Sequence, residues 1–293
     1  MGGDRSGLVR PAEGEVALEA GKALGEFRNY DDSSRQSTVE LHYEMMRRNQ
    51  TVAHVDRMCR KYHSFDHAKM TVWECFEALK TYVDSSDPDT ELPNLEHMMQ
   101  TAEAIRTAGE PEWFQLVGLI HDMGKVMFLW GAAEDGQLGA ADFPQWSLGG
   151  DTWVVGCALP ASAVLPRLNA LNPDMQDERY STEMGMYEAR CGLHNLQYAY
   201  GHDEYMYQML LANGATIPES GLAMIRFHSC YPLHSGGDYE RFMADGDAEL
   251  LEWVRKFNQY DLYTKANSRP NVAALWPYYQ GLVDKFMPGA LKW

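Results

Sequence analysis

The sequence predicts an all-α protein carrying one small irregular insertion with a β-hairpin. Three observations lead there. Apolar residues recur at helical spacing over most of the chain after about residue 26. The segments between them stop and start at Pro, Gly, Asn and Asp. Residues 131–160 lose the helical pattern; Gly, Asp and Pro are frequent there, and Asp151-Thr152-Trp153-Val154-Val155-Gly156 forms a short β-type run. A chain of 293 residues with 45% hydrophobic content can bury one sizeable core. No internal repeat and no dividing linker is apparent, so a single domain over 27–293 is expected behind a flexible tail at 1–26.

The elements follow in order. Thr38 to Tyr62 carries apolar residues at helical spacing with charges between them. Val72, Trp73, Phe76, Leu79 and Val83 form a second stripe, broken by Asp84-Ser85-Ser86-Asp87-Pro88-Asp89. Asn94 is suited to cap the next helix, with Leu95, Met98, Ala102 and Ile105 on one face. Pro111 restarts a helix whose buried side runs through Trp113, Leu116, Val117 and Ile120 to His121. Further helices are expected at about 203–212, 219–230, 247–262 and 275–286. Asn213-Gly214 ends the first, Pro218 and Ser220 open the second, and Pro288-Gly289 follows the last.

Charge and cysteine usage exclude several function classes. The net charge is −17, from 42 acidic and 25 basic residues, and no Lys/Arg block exceeds two. Nucleic acid and anionic membrane are therefore not expected partners, since both are bound through basic patches. The five cysteines, Cys59, Cys75, Cys157, Cys191 and Cys230, form no C-x-x-C pair and read as free thiols of a reducing, cytoplasmic compartment. No apolar run reaches the length of a membrane span, and no secretory signal follows the N-terminus. Met1-Gly2-Gly3-Asp4-Arg5-Ser6 fits a loose myristoylation pattern, but without a polybasic segment a plain tail is the better reading.

The chemistry sits in six residues: His97, His121, Asp122, His202, His228 and Asp261. His121-Asp122 ends an apolar helix, where a carboxylate is costly unless paired or metal-bound. Asp261 shares an apolar stripe with Val254 and Phe257 and likewise needs a cation. His97 points inward, near the face of Ile105; a lone inward His is usually a hydrogen-bonded core residue. Together, ligand-type residues on separate helices are most simply explained by a shared metal site in a bundle core. Imidazole and carboxylate without thiolate suit iron, manganese or zinc. Lys125, four residues after His121, is the best supporting group: beside two cations it would have a lowered pKa and could bind or deprotonate a substrate hydroxyl. The other histidines are weaker candidates. His63 and His67 flank Asp66 at a charged helix end, His42 and His54 look like ordinary helix-face residues, His194 lies in a loop, and His234 is separated from His228 by Pro232.

At this level of detail the chain resembles the myo-inositol oxygenase family. The matching segments include Phe27-Arg28-Asn29-Tyr30, Ser86-Asp87-Pro88-Asp89, Leu92-Pro93-Asn94, Val117-Gly118-Leu119-Ile120-His121-Asp122-Met123-Gly124-Lys125, Gly201-His202-Asp203-Glu204-Tyr205-Met206-Tyr207-Gln208, Met224-Ile225-Arg226-Phe227-His228-Ser229, Tyr260-Asp261-Leu262-Tyr263-Thr264-Lys265 and Tyr278-Tyr279-Gln280-Gly281-Leu282. The resemblance implies an HD-domain helical bundle with a non-haem di-iron centre, using two iron ions as Fe(II)/Fe(III). It implies cleavage of the C1–C6 bond of myo-inositol with dioxygen to give D-glucuronate and water, by a monomer. It assigns one iron to His97, His121, Asp122 and Asp261, with Asp122 bridging to a second completed by His202 and His228. Substrate contacts fall on Arg28, Asp84, Ser85, Ser86, Lys125, Gly150, Asp151, His228, Ser229 and Lys265, with Lys125 catalytic and the segment around Arg28 as a lid. Ser85 departs from the acidic residue usual at its position, and His194 stands where relatives carry Asp. The main rival is an HD-domain metal-dependent phosphohydrolase. A metal-stabilised polyol-binding scaffold is a third reading, disfavoured by the presence of all six ligands and Lys125.

Overall fold

The computed structural model describes residues 36–86, 94–139, 144–263 and 270–293. The tail expected at 1–26, Arg28 and Lys265 lie outside the described residues.

The fold is helical, as the periodicity predicts. The first run is two helices, α1 (Gln36–Asn49) and α2 (Val52–Tyr62), rather than one. The break has a local cause: the Thr51 side chain caps α2 by accepting from the His54 N–H. Gln50 is meanwhile drawn inward, donating to the Trp146 and Tyr200 carbonyls and accepting from the Tyr200 N–H. α3 (Val72–Ala78) begins with a capping box between Thr71 and Glu74, and ends in a 3₁₀ turn at Leu79–Thr81. α4 spans Asn94–Thr107 and α5 spans Glu112–Ile120. Asn94 is the first residue of α4, and its side-chain oxygen accepts from Lys125.

Residues 131–160 are irregular, as their texture predicts. The β-type run makes one antiparallel bridge, Val154 to Tyr198, instead of a hairpin. Among the described residues the sheet lies elsewhere: β1 (Lys69–Met70) pairs antiparallel with β2 (Leu291–Lys292). Then come α6 (His202–Ala212), α7 (Glu219–Phe227), α8 (Tyr231–His234), α9 (Asp247–Tyr263) and α10 (Val272–Phe286).

Packing among five helices positions the site. α4 lies against α5, and α7 is held between α6 and α9, while α5 also meets α7. The Phe257 side chain of α9 is fully buried where these helices meet, its ring 5.2 Å from that of His121 and 5.9 Å from that of His228. Burying such a side chain is worth about 1.5–3 kcal/mol. α6 and α7 are also tied by a buried ion pair, Arg226 Nε to Glu204 Oε2 at 2.7 Å. No described helix is long and apolar enough to cross a membrane.

Candidate metal centre

Two helices deliver the central histidines in the same way. α5 is preceded by Pro111 and α7 by Pro218, each as the capping residue, and each helix has nine residues. His121 and His228 stand just past the ends, both still in helical conformation. His121 Nδ1–H donates to the Gly118 carbonyl, and His228 Nδ1–H to the Ile225 carbonyl, both at 2.9 Å and both three residues back. The matching eleven-residue stretches, Pro111 to His121 and Pro218 to His228, share only their Pro-Glu start and final His, so the likeness is hard to see in the sequence.

The remaining ligand-type residues converge on these two. α4 supplies His97, whose Nε2 is 2.8 Å from Asp261 Oδ1 on α9. The same oxygen is 3.2 Å from His121 Nε2. Asp122 follows α5 in the sparsely populated region between helix and strand, φ −96°, ψ 0°. Its Oδ1 lies 2.9 Å from His202 Nε2 and 3.8 Å from His228 Nε2. Its Oδ2 is 3.7 Å from His121 Nε2 and 4.0 Å from His97 Nε2. One carboxylate thus turns an oxygen toward each pair of histidines. His202 opens α6, and its Nδ1–H donates to the Leu148 carbonyl at 2.6 Å. Gly124 lets the segment after Asp122 lie against the backbone of His202: a Cβ there would sit 2.1 Å from the His202 carbonyl oxygen.

The protonation pattern of this cluster fits a metal. A carbonyl only accepts, so His121, His202 and His228 each carry their proton on Nδ1 and turn an Nε2 lone pair inward. His202 Nε2 and His228 Nε2 are 3.1 Å apart, acceptor facing acceptor, with Asp122 Oδ1 beside them. A cation between them relieves that repulsion. Two sets offer ligand atoms within 4.8 Å of one another: His97, His121 and Asp261, and His121, Asp122 and His228. The donor set, four imidazoles and two carboxylates, fits iron, manganese or zinc. Burial pushes the Asp122 carboxyl up, yet the Lys125 ammonium beside it holds it well below the usual range.

Lys125 lies in the 3₁₀ segment Met123–Leu129 that follows Asp122. Its Nζ is 2.8 Å from both Asp122 Oδ2 and Asp84 Oδ2. The expected lowering of its pKa rested on neighbouring cations. Among the chain's own groups, burial does push the ammonium down, but Asp122 and Asp84 outweigh burial and hold it above its usual range.

The other residues expected around a substrate gather beyond Lys125. Asp84 Oδ1 accepts from both the N–H and the hydroxyl of Ser86. The Ser85 N–H donates to Gln145 Oε1, as does the Tyr82 hydroxyl, which fixes this turn to the 145–152 loop. In that loop the Asp151 N–H donates to the Tyr43 hydroxyl, and the Thr152 N–H to the Ser229 carbonyl, next to His228. Sequence reasoning missed His42. It is buried, 2.9 Å from Ser85 Oγ and 3.2 Å from the Gly149 carbonyl. The spacing Val39, His42, Tyr43, Met46, all buried, was the available signal that His42 faces inward. The remaining histidines stay outside the cluster. His54 bonds Ser147 Oγ, and His63 and His67 stack on Phe65 and Trp130. His194 packs beside Tyr207, and His234 donates to the His228 carbonyl from Nε2.

Comparison with known proteins agrees with this geometry. Residues 36–293 match the family model described as Myo-inositol oxygenase. The chain is 46% identical over 295 residues to a protein of Rattus norvegicus named "Inositol oxygenase", covering 100% of this chain and 99% of that one. It is 45% identical over 295 residues to the "Inositol oxygenase" of Homo sapiens, with the same coverage. A "Probable inositol oxygenase" of Oryza sativa subsp. japonica is 42% identical over 294 residues, covering 100% of this chain and 93% of the rice protein.

Proposed function

Given that the chain belongs to the myo-inositol oxygenase family and is an oxygenase, we propose that it cleaves the C1–C6 bond of myo-inositol with dioxygen to give D-glucuronate and water. The observation that carries this reading is the convergence of His97, His121, Asp122, His202, His228 and Asp261, with three Nε2 lone pairs turned inward. We assign His97, His121, Asp122 and Asp261 to one iron, and His202, His228 and the second oxygen of Asp122 to another. Bound there, two irons would supply Lewis acidity toward a substrate hydroxyl and electron transfer with dioxygen.

The chain's own groups do the rest. Lys125 and Asp84 offer a substrate hydroxyl a donor and an acceptor side by side. The Lys125 ammonium stabilises the alkoxide character that develops on the C1 oxygen, and Asp84 orients it. Ser85, Ser86, Gly150, Asp151 and Ser229 are assigned to the remaining ring hydroxyls. Arg28 and Lys265 are assigned to the substrate from the family pattern alone. Burial of Lys125, Asp122 and Asp151 strengthens these interactions by excluding water.

The test is anaerobic titration of the iron-loaded protein with myo-inositol, followed by an oxygen pulse and product analysis. One D-glucuronate per dioxygen consumed is expected. Hydrolysis of a phosphate ester with divalent metal and no oxygen uptake would replace this reading with the phosphohydrolase one.

A further inference from the structure

We propose that His42 is a positioning residue for substrate, acting through the Ser85 hydroxyl and making it an acceptor. The inference rests on the reading above, in which the turn at residues 84–86 and the loop at 149–151 hold the polyol. His42 lies on the buried face of α1 and touches both segments. Its Nε2 faces the Gly149 carbonyl at 3.2 Å, and a carbonyl only accepts, so in the neutral ring Nε2 carries the proton. Nδ1 is then the lone-pair nitrogen, and it lies 2.9 Å from Ser85 Oγ. The Ser85 hydroxyl therefore donates to His42. Its proton is spent, and it presents only lone pairs to anything bound beside Asp84.

This has a chemical consequence for binding. A free serine hydroxyl can donate or accept and rotates to suit either. Held by His42, Ser85 accepts only, so it selects a substrate hydroxyl that donates toward it. The pair thus gives Ser85 the acceptor character of a carboxylate without its charge. The surroundings hold His42 in place. Gly150 has φ +97°, and a Cβ on it would lie 2.6 Å from Met46 Sδ and 2.8 Å from His42 Nε2. Gly149 meanwhile abuts Asp84, where a Cβ would sit 2.8 Å from Oδ2. His42 thus fixes the spacing of two segments that both line the binding side of Lys125.

Steady-state kinetics on the iron-loaded protein test this with His42→Phe, His42→Gln, Ser85→Ala and the double variant His42→Phe/Ser85→Ala. His42→Phe should raise the KM for myo-inositol about tenfold, the scale of one lost hydrogen bond. Its kcat should stay within about threefold of wild type and its iron content should be unchanged. Gln supplies an N–H for Gly149 and an oxygen for Ser85, and should recover most of the lost KM. Ser85→Ala should match His42→Phe, and the double variant should be no worse than either, because both remove the same interaction. If the Phe variant fails to fold, Ser85→Ala and His42→Gln carry the comparison. An unchanged KM in Ser85→Ala, additive effects in the double variant, or a Gln variant as impaired as Phe would each overturn the proposal. Wild-type protein that leaves myo-inositol unconverted overturns the functional reading instead.

Discussion

α5 and α7 end alike and then diverge. Each presents a histidine from the same position past its last turn, pinned by the same bond to a carbonyl three residues back. After α5 comes Asp122, then a 3₁₀ segment carrying the buried cation Lys125. After α7 comes Ser229, then α8 carrying the neutral, buried His234. Identical local geometry thus serves two different surroundings. The α5 end concentrates charge, with a carboxylate between two pairs of imidazoles and an ammonium against its outer oxygen. The α7 end has no charged group in the corresponding places: Ser229 stands where Asp122 does, and Pro232 where Lys125 does. The residue that follows each histidine sets the character of its side.

Exchanging those following residues for alanine gives the largest expected contrast. Asp122→Ala should lose both metals, read by elemental analysis, and lower turnover by more than about a thousandfold, beyond the 10–100-fold typical of an outer-sphere loss. Ser229→Ala should keep both metals and raise the KM about tenfold. Equal metal loss in the two variants would make the two helix ends equivalent and remove Asp122 from the bridging position. Lys125→Met comes next. It keeps the length but removes the charge, so metal content should stay near wild type while kcat falls roughly a hundredfold. Normal turnover would reduce Lys125 to a partner for Asp122.

The contrast between the two ends was only partly readable from sequence. His121-Asp122 stands out because an apolar helix ends in a carboxylate that burial penalises. His228 stands out less, since serine after it carries no such cost. Helix positions were readable from periodicity; at the break the capping residue type of Thr51 was a local signal left unused, whereas the contacts that draw Gln50 inward come from Trp146 and Tyr200, far along the chain. His42 escaped for the same reason: its partners are 43 and 107 positions away. Asp84, Lys125 and Asp122 were singled out one by one, but their shared contacts are a tertiary fact.

The smallest expected effect concerns acid stability at the α7 end. Burial, the chief cause, pushes the His234 imidazole down to about 3, although the His228 carbonyl that accepts its Nε2–H favours the proton. An unfolded chain takes up that proton near pH 6.5. Between these values the unfolded state holds more protons, so stability falls as pH drops below 6.5 and goes on falling toward 3, by at most about 1.4 kcal/mol per pH unit. His234→Gln keeps a donor for the His228 carbonyl but does not titrate. The Tm of the metal-free variant should therefore fall less steeply than wild type between pH 7 and 5. Parallel curves would mean that His234 is already protonated in the folded protein.

The bond between His97 and Asp261 closes a span of 164 positions. During synthesis at about 5–20 residues per second, the later partner is made roughly ten to thirty seconds after the earlier one. Throughout that interval His97, joined after two dozen residues by His121 and Asp122, exists without a complete α9, and for part of it without α6 and α7. A nascent chain can offer only a fragment of the cluster, and a fragment has neither the geometry nor the affinity of the whole. Assembly of the whole cluster therefore belongs to a chain that has been made past residue 261.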